Sequence, residues 1–175
     1  RFAIEIDNLI KSYPGRSNPT LNGLSLKIPA GSLFGLLAPN GAGKTTTIDI
    51  LCGLKKFNSG TISVNGFKVP PELSKIKRIM GLVPQDIALF PLLTGRENLK
   101  VIGGIYGIPK ADLKRRADEL LERFGLTNSA DKLVSEYSGG MKRRINIIAG
   151  LLHIPQILIL DEPTNDLDIV TLNVL

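Results

Sequence analysis

"SLFGLLAPNGAGKTTTIDILCGL", residues 32–54, decides the fold of this chain. The stretch "SLFGLLA" (32–38) is a nearly continuous apolar run, the pattern of a strand buried on both faces. "KTTTIDILCGL" reads as a helix closed by Gly53. Between them "APNGAGKT" (38–45) matches G-x-x-x-x-G-K-[ST] everywhere except its first position, where Ala38 stands. A glycine-rich turn without a ligand is the plainer alternative, but strand, loop, lysine, threonine and helix together favour a phosphate cradle. Backbone N–H groups around Gly41 to Thr45 can surround phosphate oxygens, helped by the positive end of the helix. Lys44 then reaches the terminal phosphates and the Thr45 hydroxyl ligates Mg²⁺. The predicted loop contacts are Asn40, Gly41, Ala42, Gly43, Lys44, Thr45 and Thr46. Ala38 precedes Pro39, which pushes it towards extended backbone, where alanine fits. The loop is therefore expected to bind despite the missing glycine.

Outward from the loop, "FAIEIDNLI" (2–10) and "LSLKIP" (24–29) alternate like half-buried strands. "GTISVNG" predicts a short strand ending in an Asn-Gly turn, and "IMGLVPQ" a strand ended by Pro84. The middle is helical. Thr94 and Glu97 in "TGRENL" have capping-box spacing. Leu113, Ala117, Leu120, Leu121 and Phe124 form one apolar stripe, stopped by Gly125. A further helix is expected over about 139–152, then a second buried strand in "QILILDE" (156–162). Cys52, in "TIDILCG", reads as a buried and inert thiol.

Two more stretches carry chemistry. "ILILDE" ends a wholly apolar strand in two carboxylates. Asp161 can hold Mg²⁺ beside the loop threonine, and Glu162 can polarise an attacking water as general base. Solvated acids at a strand end are the ordinary alternative. "YSGGMKRR" (137–144) puts Ser138, Gly139 and Gly140 at a helix start, an anion site by geometry. Lys142, Arg143 and Arg144 then sit where cations oppose the helix dipole, so nearby negative charge is expected. A glycine-bent helix start with a solvated basic face remains the alternative.

Composition bounds the rest. With 175 residues, 43% hydrophobic and 22% charged, the chain suits one globular domain. No run reaches the 18 consecutive apolar residues of a membrane span, and no secretory pattern is seen at the start. A single cysteine excludes an internal disulfide framework. The net charge of +6 could serve nucleic acid or phosphates. Much of it lies on helix faces such as "KADLKRRADELLERFG", where acids are interleaved.

The ordered set "APNGAGKTT", "VPQD", "YSGGMKRR", "ILILDEPT" and "NDLD" resembles the ATP-binding cassette ATPase family over essentially the whole chain. The resemblance implies an α/β fold: a P-loop NTPase core, its mixed sheet including antiparallel N-terminal strands, with an inserted helical subdomain. Residues 1–84 and 156–175 would form the core and 85–155 the subdomain, in one domain, 1–175, incomplete at its C-terminus. It also implies ATP and Mg²⁺ as cofactors. By it, Gln85 matches the glutamine that contacts Mg²⁺ and the attacking water and couples to a membrane partner. Tyr13, indecisive by itself, matches the aromatic that stacks on adenine. Asp168 matches a dimer-contact aspartate, although Asp166 departs from the small residue common there.

The resemblance further implies a head-to-tail pair with a second ATPase subunit, in the simplest case an identical one. Ser138, Gly139 and Gly140 would contact the partner's ATP, and that face would neutralise the three cations. Within the family, "LTGRENL" and "SGGMKRR" resemble the ATPases of multidrug or polysaccharide exporters. That implies transmembrane permease subunits, a peripheral place on the cytoplasmic face of the membrane, and no nucleic acid partner. The rival readings are a soluble cassette ATPase acting on ribosomes or nucleic acid, and a nucleotide-dependent assembly module. The family's switch histidine is expected beyond Leu175. His153, at a helix C-terminus, is expected to make a favourable dipole contact.

Overall fold

The computed structural model describes residues 1–36, 39 and 41–161. The chain packs as two compact units, one formed by Arg1–Lys77 and one beginning at Arg78.

The first unit is built on an antiparallel sheet. Strand β1 (Phe2–Lys11) pairs antiparallel with β2 (Leu21–Pro29) on one side and β3 (Ser59–Val64) on the other, and β4 (Phe67–Val69) pairs with β3. The alternation read from "FAIEIDNLI" buries Ile4 and Ile6, then changes phase. At Asn8, with φ 47°, the register with β2 shifts, and Leu9 returns to the core instead of Asn8. The Asn8 N–H donates to Ser25 Oγ at 2.9 Å across this irregularity. The expected Asn-Gly turn joins β3 to β4, with φ 51° at Asn65 and 86° at Gly66. Helix α1 (Lys44–Leu51) buries Thr47, Ile50 and Leu51, and Cys52 follows at its C-cap, also buried. Helix α2 (Leu73–Ile79) buries Ile76.

The second unit holds strands β5 (Met80–Val83) and β6 (Ile157–Leu160), paired in parallel from Met80↔Ile157 to Val83↔Leu160. Between them run α3 (Gly95–Ile105), α4 (Lys110–Arg123) and α5 (Gly139–Leu151). The capping box is present: Thr94 Oγ1 accepts from Glu97 N at 3.1 Å, and the Glu97 carboxylate accepts from Thr94 N at 2.8 Å. The α4 stripe buries Leu113, Ala117 and Leu121, and Phe124 follows it into the core, where α5 contributes Ile145, Ile147 and Ile148. Helix α5 lies so close to β5 that a side chain at Gly81 would strike the Gly150 carbonyl. A Cβ at Gly150 would in turn sit 2.6 Å from Val83 Cγ2.

Two expectations change. Residues 32–36 form no strand, and Leu33, Phe34 and Leu36 are exposed. The Ser32 hydroxyl donates to the Pro29 carbonyl at 2.7 Å, just past the end of β2. Apolar composition tells that a strand would tolerate burial, but a ladder needs a hydrogen-bonding neighbour, and among the described residues no pairing in either sheet includes 32–36. Strand β6 forms as expected, yet its four residues are half-buried instead of buried. The mixed α/β fold itself stands, as an antiparallel sheet, a parallel pair and helices.

Candidate nucleotide site

The first cluster surrounds the start of α1. Gly43 is its N-cap, with φ 93° and ψ 13°, and no side chain caps this end. Only glycine fits here. An L-residue would adopt that backbone with strain, and its Cβ would lie 2.5 Å from Leu21 Cδ2 and 3.1 Å from the Thr20 carbonyl oxygen. The first N–H groups of a helix have no intrahelical acceptor, and this first turn holds no acidic side chain to compete for them. That is what an anion requires. The loop is closed by the Ala42 N–H donating to the Pro39 carbonyl at 3.2 Å. Gly41, Ala42 and Thr45 are exposed, while Lys44 and Thr46 are half-buried. Thr47 is buried and returns its hydroxyl to the Gly43 carbonyl at 2.9 Å, so it belongs to the scaffold.

Tyr13 joins this cluster. A hydrogen bond with the Thr46 side chain, with Lys55 and Lys11 close by, lowers the phenol below its ordinary pKa. Lys11 Nζ lies 4.7 Å from the ring centroid, and Arg16 and Lys55 approach to 5.9 Å. The electron-rich ring face that draws these cations is also the surface on which a base can stack. Cys52, one helix away, is chemically quiet: burial, then the Asp49 charge, pushes its thiol up to about 11.

The second cluster lies at the end of the β5–β6 pair. Because Val83 stands opposite Leu160 in a parallel register, Pro84–Gln85 and Asp161 leave the two strands side by side. The Asp161 N–H donates to the Val83 carbonyl at 3.0 Å. Asp161 is half-buried and Gln85 is exposed. Ser138 caps α5, its Oγ accepting from Met141 N at 3.2 Å. Gly139 and Gly140 occupy the bare first turn, the former exposed.

The cations beyond these glycines do something the sequence reading missed. Arg143 is 3% exposed. Its guanidinium donates to the Pro84 carbonyl at 2.6 Å and to the Asp161 carbonyl at 2.8 Å. Arg144 donates to the Gly140 and Phe124 carbonyls at 3.3 and 3.0 Å. Two of the three cations thus donate to backbone carbonyls of their own chain, contacts that the sequence reading did not anticipate. Their place at the wrong end of the helix dipole was the available signal. Asn98 was missed altogether. Fully buried, it receives the Phe90 N–H and donates to the Phe90 and Thr94 carbonyls, fixing the loop that follows Gln85. His153 also differs. Its ring stacks on Tyr106 at 3.9 Å and meets the Met80 carbonyl at 3.2 Å, and burial lowers its pKa, which favours a neutral ring over the expected cationic dipole contact. Ala38, Asn40, Glu162, Asp166 and Asp168 lie outside the described residues.

Residues 21–165 match the family described as ABC transporter. The chain belongs to that family. Among its relatives, the linearmycin resistance ATP-binding protein LnrL of Bacillus subtilis is 46% identical over 165 residues, covering 94% of this chain and 52% of the relative. The daunorubicin/doxorubicin resistance ATP-binding protein DrrA of Streptomyces peucetius is 42% identical over 166 residues, covering 95% and 50%. The chain therefore spans about half the length of these relatives. Among solved structures, an ATP-binding subunit of an ABC transporter superimposes with a TM-score of 0.86 at 29% identity, over 98% of this chain and 71% of that one. CbiO1 of Clostridium perfringens, part of the ABC transporter complex cbiONQ, gives 0.85 at 27%, over 99% and 70%. The loop at α1, the glycines at α5 and the carboxylate after β6 all lie within the matched span.

Proposed function

We propose that this chain binds MgATP and hydrolyses it as one half of a head-to-tail pair, driving a transmembrane partner that exports its cargo. The observation that carries the reading is the start of α1, where a left-handed glycine N-cap leaves the first turn uncapped behind a loop matched within an ABC transporter family. The names of LnrL and DrrA, both resistance ATP-binding proteins, support the export reading.

The residues fit the cofactor. The loop amides and Lys44 would hold the β- and γ-phosphates, and Tyr13 would stack on the base. Thr45, Asp161 and Gln85 are the side chains this reading assigns to Mg²⁺. Bound Mg²⁺ neutralises charge developing on the transferred phosphoryl group. Glu162 would take the proton of the attacking water, and Ser138, Gly139 and Gly140 would meet the nucleotide held by the second subunit. Among the described residues no helix is long and apolar enough to cross a membrane. In this reading the partner crosses it, and the chain sits peripherally on its cytoplasmic face. The basic charge of α4 gives nucleic acid little support as a partner, because Arg115 pairs with Glu119 at 2.9 Å along that helix.

The test is a steady-state ATPase titration of the full-length protein. Turnover should rise more than linearly with protein concentration, as pairing demands, and Lys44→Ala should abolish MgATP binding. Activity strictly linear in concentration would defeat the paired site. Undiminished binding by Lys44→Ala would defeat the loop assignment.

A further inference from the structure

Buried arginines are rare, and this one has an unusual address. Arg143 projects from the first turns of α5, one turn beyond Ser138–Gly140, and is almost fully enclosed. Its two terminal nitrogens grip the carbonyls of Pro84 and Asp161, the residues at which the chain leaves β5 and β6. The Asn146 side chain, from the next turn of α5, adds a longer bond of 3.4 Å to the Pro84 carbonyl. A planar fork suits this task because it can satisfy two acceptors at a fixed spacing, which an ammonium on a flexible stem cannot.

We propose that Arg143 is a positioning residue: it sets the spacing of the β5 and β6 ends, and so the placement of Gln85 and Asp161. The inference rests on the proposed ATPase reading and adds a residue to it. Arg143 touches neither nucleotide nor metal in this scheme. It acts through the backbone of residues that do. Because Arg143 and the Ser138–Gly140 turn share one helix, α5 ties the place where the partner's nucleotide would sit to this chain's own strand ends. At its far end α5 seats closely on β5, through Gly150 on Gly81 and Val83.

The experiment compares wild-type full-length protein with Arg143→Lys and Arg143→Met, with Arg143→Ala and Lys44→Ala added for chemical rescue. Hydrogen exchange is first measured without nucleotide. Peptides covering Pro84–Gln85 and β6–Asp161 should exchange faster in both variants, while α4 and the β1–β3 sheet keep wild-type protection. In steady state, kcat of Arg143→Lys should fall about tenfold or more while MgATP affinity stays within about twofold, the signature of lost positioning without lost binding. Millimolar guanidinium should restore part of the activity of Arg143→Ala and none of that of Lys44→Ala. Wild-type exchange at both strand ends in a folded Arg143→Lys protein would overturn the proposal. So would a uniform loss of protection across the second unit, which would mark Arg143 as a stability residue only. A wild-type protein without ATPase activity would count against the functional reading, and the exchange measurement would then judge the clamp by itself.

Discussion

Replacing Asn98 tests whether the loop after Gln85 is held by one buried amide. The side chain is fully enclosed. Its Oδ1 accepts from Phe90 N at 2.8 Å, and its Nδ2 donates to the carbonyls of Phe90 at 3.0 Å, Leu93 at 3.3 Å and Thr94 at 3.0 Å. Two amide hydrogens and one strong acceptor amount to three bonds, each contributing about 0.5–1.5 kcal/mol net. Asn98→Leu keeps the volume and removes all three, so it should cost about 1.5–4.5 kcal/mol, with stranded backbone groups favouring the upper half. Asn98→Asp is the sharper probe. Its carboxylate would face three carbonyl oxygens, so burial and those dipoles should raise its folded pKa above the unfolded value. The protonated form can still donate once. The variant should therefore be closest to wild type below about pH 4, the unfolded carboxyl value, and lose stability as pH rises through the raised folded pKa. Thermal unfolding across pH, with amide exchange at Phe90, reads both effects. An Asn98→Leu protein within about 0.5 kcal/mol of wild type, with Phe90 still protected, would refute the reasoning. An Asn98→Asp protein that gained stability with rising pH would refute the pKa argument.

Further outcomes follow from the other sites. Glu162→Gln should leave MgATP binding intact and slow turnover by roughly 10²–10⁴-fold, and single-turnover assays showing wild-type rates would remove Glu162 from the mechanism. The Cys52 thiol, pushed up to about 11, should react with iodoacetamide far more slowly in the folded protein than in urea at pH 8. Since its folded pKa is raised, the linked stability is present below the unfolded value and should drain away as pH climbs towards about 11. Equal alkylation rates in the folded and unfolded states would contradict its burial.

Local pattern made most of the elements legible. Thr94 and Glu97 announce α3 because a capping box is complete within four residues, and both bonds form. The α4 stripe is legible for the same reason: its period belongs to the helix itself. What escaped depends on distant partners. Leu33, Phe34 and Leu36 have the composition of a central strand, but composition carries no information about which neighbour completes a ladder. Asn98 looks like any polar residue in "TGRENL" until the Phe90 backbone is seen to meet it. Arg143 was noticed for its charge, and its bonds to the Pro84 and Asp161 carbonyls escaped notice, because a sequence shows charges readily and backbone carbonyls not at all. Among the candidate site residues, Lys44, Thr45, Ser138 and Asp161 stand out by motif, whereas the contacts around them had to be seen.

The parallel pairing of β5 with β6 also governs how the chain can be made. Met80 must find Ile157, and α3, α4 and α5 all lie between them. Synthesis proceeds at about 5–20 residues per second, so β5 leaves the ribosome several seconds before its neighbour exists. The helices can form from nearby contacts during that wait, but "MGLV" cannot complete its ladder. For those seconds an apolar strand offers an open edge to any passing chain. The second unit thus waits on the arrival of β6, and crowded synthesis is a condition that exposes β5 to misassembly during that interval.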